Sequence, residues 1–145
     1  MIRSVVAAAI MVILAVGGAR AESSVDGRWL SQSGNGVVEI YPCGAKHCGK
    51  LVWLKMPQNT DENNPNPEYK KRRLCGLVIL GDFVKDGDEW VDGWIYSPEN
   101  GKTYSAKMRL DAPDILKLRG YVGISLFGET QTWTRADPKL ANCGS

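Results

Sequence analysis

The stretch Lys102-Thr103-Tyr104-Ser105-Ala106-Lys107-Met108-Arg109-Leu110 decides the class of fold. Tyr104, Ala106, Met108 and Leu110 fall on one face, and Thr103, Ser105, Lys107 and Arg109 on the other. A repeat of two is that of a strand with one buried face; a helix would need 3.6. The run follows Pro98-Glu99-Asn100-Gly101, where Asn100 and Gly101 both tolerate positive φ, a strong short-range hairpin signal. Working outward, similar runs recur at 28–32, 37–41, 49–56, 76–84, 89–97, 115–121 and 129–135, each rich in β-branched, aromatic or alternating residues. Turn-forming clusters separate most of them: Ser33-Gly34-Asn35-Gly36, Lys85-Asp86-Gly87-Asp88 and Asp111-Ala112-Pro113-Asp114. Only 57–74 breaks the rhythm. There a polar stretch leads into a short helix expected near 66–73, with Asn66 as N-cap and Pro67 at the first helical position.

Eight strands joined by sequential hairpins, without long crossovers, predict an all-β protein. Its strands would form an eight-stranded antiparallel up-and-down barrel, a closure that removes exposed edges. Such a barrel has room for its own side chains or for one small ligand.

The N-terminus reads as a cleavable signal peptide over 1–21. Arg3 is its positive region, residues 5–16 are apolar and uncharged, and Ala19 and Ala21 offer small residues for cleavage. The run is shorter than the roughly 20 residues a bilayer span needs, so no transmembrane anchor is expected after cleavage. The rest, 22–145, is expected to be one barrel domain, periplasmic or secreted. Cleavage removes Arg3 and Arg20, so the 18 basic residues fall to 16, equal to the 16 acidic ones. A net charge near zero argues against nucleic acid as a partner. The one basic run, Lys70-Lys71-Arg72-Arg73, reads as a solvated helix end.

Cys43, Cys48, Cys75 and Cys143 all lie after the leader. An even count in an exported chain predicts two disulfides, with three connectivities possible. Cys43 and Cys48 flank a four-residue loop between two alternating runs and can pair across it. That leaves Cys75 with Cys143, a pairing that rests on the count alone. One histidine and no C-x-x-C pair give no metal site, and nothing implies a cofactor.

Two resemblances meet in this chain. Gly27-Arg28-Trp29 on the first strand, with Arg135 near the end of the last, is similar to the lipocalin-like (calycin) pattern. That resemblance implies an arginine packed over Trp29 to close the base of the barrel. A longer series covers nearly all of the chain after the leader. It begins with Val38-Glu39-Ile40-Tyr41-Pro42-Cys43, then Cys48-Gly49-Lys50-Leu51-Val52-Trp53, then Asn64-Pro65-Asn66-Pro67. It continues with Tyr96 to Tyr104, Leu118-Arg119-Gly120-Tyr121 and Thr132-Trp133-Thr134-Arg135. Together these resemble the bacterial domain-of-unknown-function family 2147. The resemblance implies export and a lipocalin-like barrel, and no particular activity.

Trp90, Asp92, Trp94 and Tyr96 alternate along one strand. If they share the interior face they would present three aromatics and a carboxylate to an amphipathic ligand, completed by Trp53 and Tyr104. Side chains that merely fill the barrel would use the same residues. Glu39, Asp92 and Glu129 are the carboxylates that acid–base chemistry could draw on, but no spacing brings two together. Ser105 and Ser125 lack the context of a nucleophile, and His47 is expected to be exposed in a loop. No catalytic residue is therefore assigned. Asp61, Glu62, Asn63, Asn64 and Asn66 share the oxygen-rich character of a calcium loop without its glycine and terminal glutamate. Their side chains are expected to bond local backbone instead. The sequence thus points to an exported, non-enzymatic binding protein with a small hydrophobic or amphipathic ligand in its cup. The alternative is an envelope protein-binding module, an inhibitor or assembly factor, acting through its loops, with 59–73 the protruding one.

Overall fold

A computed structural model describes residues 10–13, 24–124, 126 and 128–144. Ser125 and most of the expected leader, its cleavage site included, lie outside the described residues. Eight strands form the barrel: β1 (Gly27–Leu30), β2 (Gly36–Cys43), β3 (Lys46–Leu54), β4 (Val78–Asp86), β5 (Glu89–Ser97), β6 (Lys102–Ala112), β7 (Ile115–Tyr121) and β8 (Glu129–Arg135). Each pairs antiparallel with the next, and β1 returns to β8 through Trp29 opposite Arg135 and Leu30 opposite Thr134. The expected up-and-down barrel is what forms. Its base holds the β2–β3, β4–β5 and β6–β7 turns, and its mouth the other four connections.

The helix expected near 66–73 is only one 3-10 turn, Pro67–Tyr69. Asn66 caps it by accepting the Glu68 N–H, and Pro67 leads it. It stops because the next residues are pulled into pairing with the start of the loop. Asp61 N–H donates to the Arg72 carbonyl, and Thr60 bridges Arg73.

The base is packed solid. Trp29, Ile40, Leu80, Phe83, Met108 and Leu116 are all buried inside it. Trp29 Nε1 donates to the carbonyl of the fully buried Val25 at 2.8 Å. The Arg135 guanidinium lies 3.9 Å from the Trp29 ring centre. It also donates to the carbonyls of Ser24, Asp26 and Pro113 at 2.7–2.9 Å. Burial pulls the Arg135 pKa down, so the hydrogen bonds and the indole face hold a cation that has lost much of its water.

Bulges help set which side chains enter the barrel, two of them at aspartates. Asp82 in β4 (φ 64°) and Asp92 in β5 (φ 59°) take left-handed backbone, which aspartate tolerates better than most residues. Each inserts one residue relative to the outer neighbour, between Leu80 and Phe83 against β3 and between Trp90 and Gly93 against β6. An extra residue exchanges the two faces of everything beyond it. Gly93 therefore takes an interior place opposite Ala106, and the Phe83 ring occupies the space where a Cβ would stand. Gly93→Ala is expected to cost about 1–3 kcal/mol through overpacking, read as a lower thermal midpoint.

Two disulfides brace the wall. Cys43–Cys48 (Cα–Cα 5.9 Å) spans the tight turn after β2. Cys75–Cys143 (4.9 Å) fastens the C-terminal tail. The tail lies along β3, where Asn142 exchanges two hydrogen bonds with the Leu54 backbone and Cys143 N–H donates to Val52 O.

Candidate functional site

Above the packed base the barrel is open. A cavity of about 1240 Å³ occupies its upper half and the space between the mouth loops. Its walls are apolar below, with Val38, Leu51, Ile79, Ile95, Leu118 and Trp133. Near the rim they turn polar, with Gln32, Asn35, Asn59, Asn100, Glu129 and Gln131. The interior register explains the sequence of residues. β8 sends Trp133, Gln131 and Glu129 inward at successive heights, opposite Leu116, Leu118 and Gly120 of β7. Trp133 is buried and donates from Nε1 to Gln131 Oε1 at 2.9 Å, which fixes the indole as part of the floor. Gly120 leaves the cup wide: the nearest atoms a Cβ there would meet are Tyr104 Cβ at 3.6 Å, Ile95 Cγ2 at 3.7 Å and Tyr104 Cγ at 3.9 Å, all ordinary contacts.

One side of the mouth is the 57–74 loop, held down by a buried polar network. Asp61, fully buried, accepts hydrogen bonds from Tyr96 OH (2.5 Å), Asn64 Nδ2 (2.9 Å) and Arg72 Nε (2.9 Å). Asn63 donates to the carbonyls of Pro98 and Glu99 in the β5–β6 turn. Gly101 (φ 70°) lets that turn sit directly against the Asn63 carbonyl, leaving no room for a Cβ. The loop expected to protrude is thus clamped onto the barrel. The Asp and Asn side chains are engaged in this clamp and in local turns, Asn64 with Asn66 N–H and Asn66 with Glu68 N–H.

Burial and the Asp61 carboxylate push the Tyr96 phenol up to about 12 from 10.0. A raised folded-state pKa means the proton is held more tightly in the native state. The stabilisation is complete below pH 10.0, declines above it and is lost as the pH passes about 12. Urea midpoints measured between pH 9 and 12 should fall more steeply for the native chain than for Tyr96→Phe, which cannot ionise there (pH range set by the folded and unfolded values, about 10 and 12).

The six aromatic and acidic residues proposed from sequence do not form one group. Tyr104 lines the cup, its hydroxyl accepting from Asn100 Nδ2 at 2.8 Å, whereas Tyr96 shares the outward face of Trp94, is buried under the 57–74 loop against Asp61, and borders only the space between the mouth loops. Trp90 points inward opposite Met108 but lies in the packed base, edge-on to His47. Beyond the β5 bulge the faces exchange, so Trp94 lies on the outer wall opposite Ser105, covering Gly81, and Asp92 is exposed. Trp53 pairs with Val37 on the face of β2 opposite to Val38, away from the cup. The cup residues overlooked, Ile95, Leu118, Gly120 and Gln131, lie on alternating faces of runs already recognised as strands. What was hidden was their height in the barrel.

The carboxylates stand apart. Glu39 pairs with Arg28 on the outer wall at 3.0 Å, Asp92 lies at the bulge and Glu129 lines the mouth. His47, expected in an exposed loop, is half-buried within β3, its Nδ1 2.8 Å from Asp26 Oδ1. The turn before it is two residues long, which draws His47 into the ladder opposite Pro42. Among the described residues, no group of three His, Cys, Asp or Glu side chains is placed to hold a metal ion, and no helix is long and apolar enough to cross a membrane.

No curated protein matches the chain. Among solved structures it is similar to HP1028 of Helicobacter pylori, described as belonging to the lipocalin family. The two share 23% identity at a TM-score of 0.72, over 80% of this chain and 85% of that one. That likeness shows a shared lipocalin-like fold. A family model described as an uncharacterized protein conserved in bacteria (DUF2147) matches residues 27–135, and the chain belongs to that family.

Proposed function

We propose that this is an exported, non-enzymatic binding protein that holds one small amphipathic molecule in the cup of its barrel. The observation that carries the reading is the division of the interior. The base is filled by side chains, while the upper half is a cavity of about 1240 Å³ with an apolar floor and a polar rim. A cavity of that kind accepts an apolar body and leaves a polar end among Gln131, Glu129 and the loop amides. A binding rather than a catalytic role is supported by the placement of the three carboxylates singled out from the sequence in different parts of the barrel, Glu39 against Arg28 on the outer wall, Asp92 at the β5 bulge and Glu129 at the mouth. The two disulfides favour an oxidising compartment.

The test is titration with N-phenylnaphthylamine, a neutral probe that fluoresces in apolar surroundings. Saturable enhancement with one probe per chain is expected, together with a change in tryptophan emission from Trp133 and displacement by dodecanol. A signal that rises linearly without saturation, or no signal, would refute the reading.

A further inference from the structure

The charges around the cup are not evenly matched. Among the described residues, its charged lining consists of Lys55, Glu62, Glu99 and Glu129, three carboxylates against one amine. Lys55, Glu62 and Glu99 belong to connections at the mouth. Glu129 instead opens β8 and continues the inward-facing series of Trp133 and Gln131. Its backbone is fixed from behind, because Gly128 packs so closely on the Gly120 carbonyl that a Cβ there would collide with it.

Among the described residues, Glu129 has no ion-pair partner. Gly120, opposite it on β7, carries no side chain. On its other flank the β1–β2 connection lines the cup with the neutral residues Ser31, Gln32 and Ser33. The cations near the mouth are directed elsewhere. Lys55 follows β3, three strands around the barrel from β8. Lys70 donates to the Glu62 carbonyl, and Lys102 does not border the cavity. Arg119 lies on the outer face, where it reaches Thr130 Oγ1.

Beneath Glu129 the polar lining offers a donor. An indole N–H can only donate, so the bond from Trp133 Nε1 occupies the Gln131 carbonyl oxygen and leaves the amide N–H groups for a ligand. A carboxylate head could use that donor. Residues two apart on one strand face lie only about 7 Å apart, however, so such a head would rest beside the Glu129 charge. A cationic head meets attraction there and no lysine or arginine on the same wall, and the low-dielectric walls of a cleft focus the field. We propose that Glu129 sets the sign of the ligand: the cup holds amphiphiles with an ammonium-type head and disfavours those with a carboxylate head. This rests on the binding function proposed above and adds to it the charge of the head.

The experiment displaces N-phenylnaphthylamine from the full chain with dodecanol, dodecyltrimethylammonium and dodecanoate, each below its aggregation concentration, at neutral pH and low salt. Dodecanol reads the cup without a charge. The native chain should take the ammonium amphiphile about tenfold more tightly than dodecanoate, the scale of one charge contact at a partly wet rim. Glu129→Gln should narrow that ratio about fivefold, and Glu129→Lys should invert it. Glu129 is exposed, so both variants are expected to fold, and thermal midpoints on the same samples check this. If dodecanol displaces the probe but the native chain prefers dodecanoate, or the ratio is unchanged in Glu129→Gln, selection by Glu129 is overturned while the cup stands. If dodecanol also fails to displace the probe, the cup itself falls and the selection with it.

Discussion

Asp61→Ala is expected to lower the unfolding free energy by about 3–5 kcal/mol, the cost of removing one partner from a buried charged network. Asp61 is fully buried and serves three donors at once. Without it, the Tyr96 hydroxyl keeps only the Asn64 Nδ2 donor, Asn64 loses one of its acceptors, and Arg72 loses its carboxylate. The Arg72 side chain is about one-third exposed, so water relieves part of its loss and the lower end of the range applies. The loop that Asp61 pins is one wall of the cup, so probe affinity should fall with stability. Urea denaturation reads the first effect as a lower midpoint with unchanged slope. A change below about 1 kcal/mol would show that Asp61 does not clamp the loop.

Removing the Cys75–Cys143 bridge, by Cys75→Ala with Cys143→Ala, is expected to cost about 4 kcal/mol on chain-entropy grounds, because it closes a long loop. The bridged residues lie 68 apart, against 5 for Cys43–Cys48, whose removal should cost about half as much. The loss includes more than entropy, since the tail's bonds to Leu54 and Val52 fray once it is released. Equilibrium unfolding of the two double variants, side by side, checks the order. Equal losses, or a larger one at Cys43–Cys48, would contradict it.

The barrel was legible because its strands repeat with period two and its turns carry glycine, asparagine and aspartate where positive φ is needed. Residues 102–110 are the plainest case: Ala106 and Met108 are buried and Lys107 faces outward opposite Arg119. The site was less legible for a physical reason. Alternation assigns Trp90, Asp92, Trp94 and Tyr96 to one face only while the backbone stays regular, and the left-handed turn at Asp92 breaks that register. No glycine marks the bulge residue itself, so nothing in the local composition announces it. The helix was overestimated similarly, because Arg72 and Arg73 pair with the far end of their own loop, a contact that capping signals near Pro67 cannot reveal. The role of Arg135 rests on the family pattern, since an arginine near the end of a strand looks like any surface charge until its guanidinium is found over Trp29.

The claim that the upper barrel is a binding cup is tested most directly at Gly120. Its place on the inner wall lacks a side chain, and a Cβ there makes only ordinary contacts, so a large residue can project into the cavity without disturbing the strand. The measurement is N-phenylnaphthylamine affinity of the native chain, Gly120→Ala and Gly120→Phe, with thermal midpoints recorded on the same samples. Ligand held in the cup requires Gly120→Phe to weaken binding about tenfold or more, the worth of one lost apolar contact area, while its midpoint stays close to the native one. Undiminished binding by a stably folded Gly120→Phe protein would contradict the account and place the ligand elsewhere.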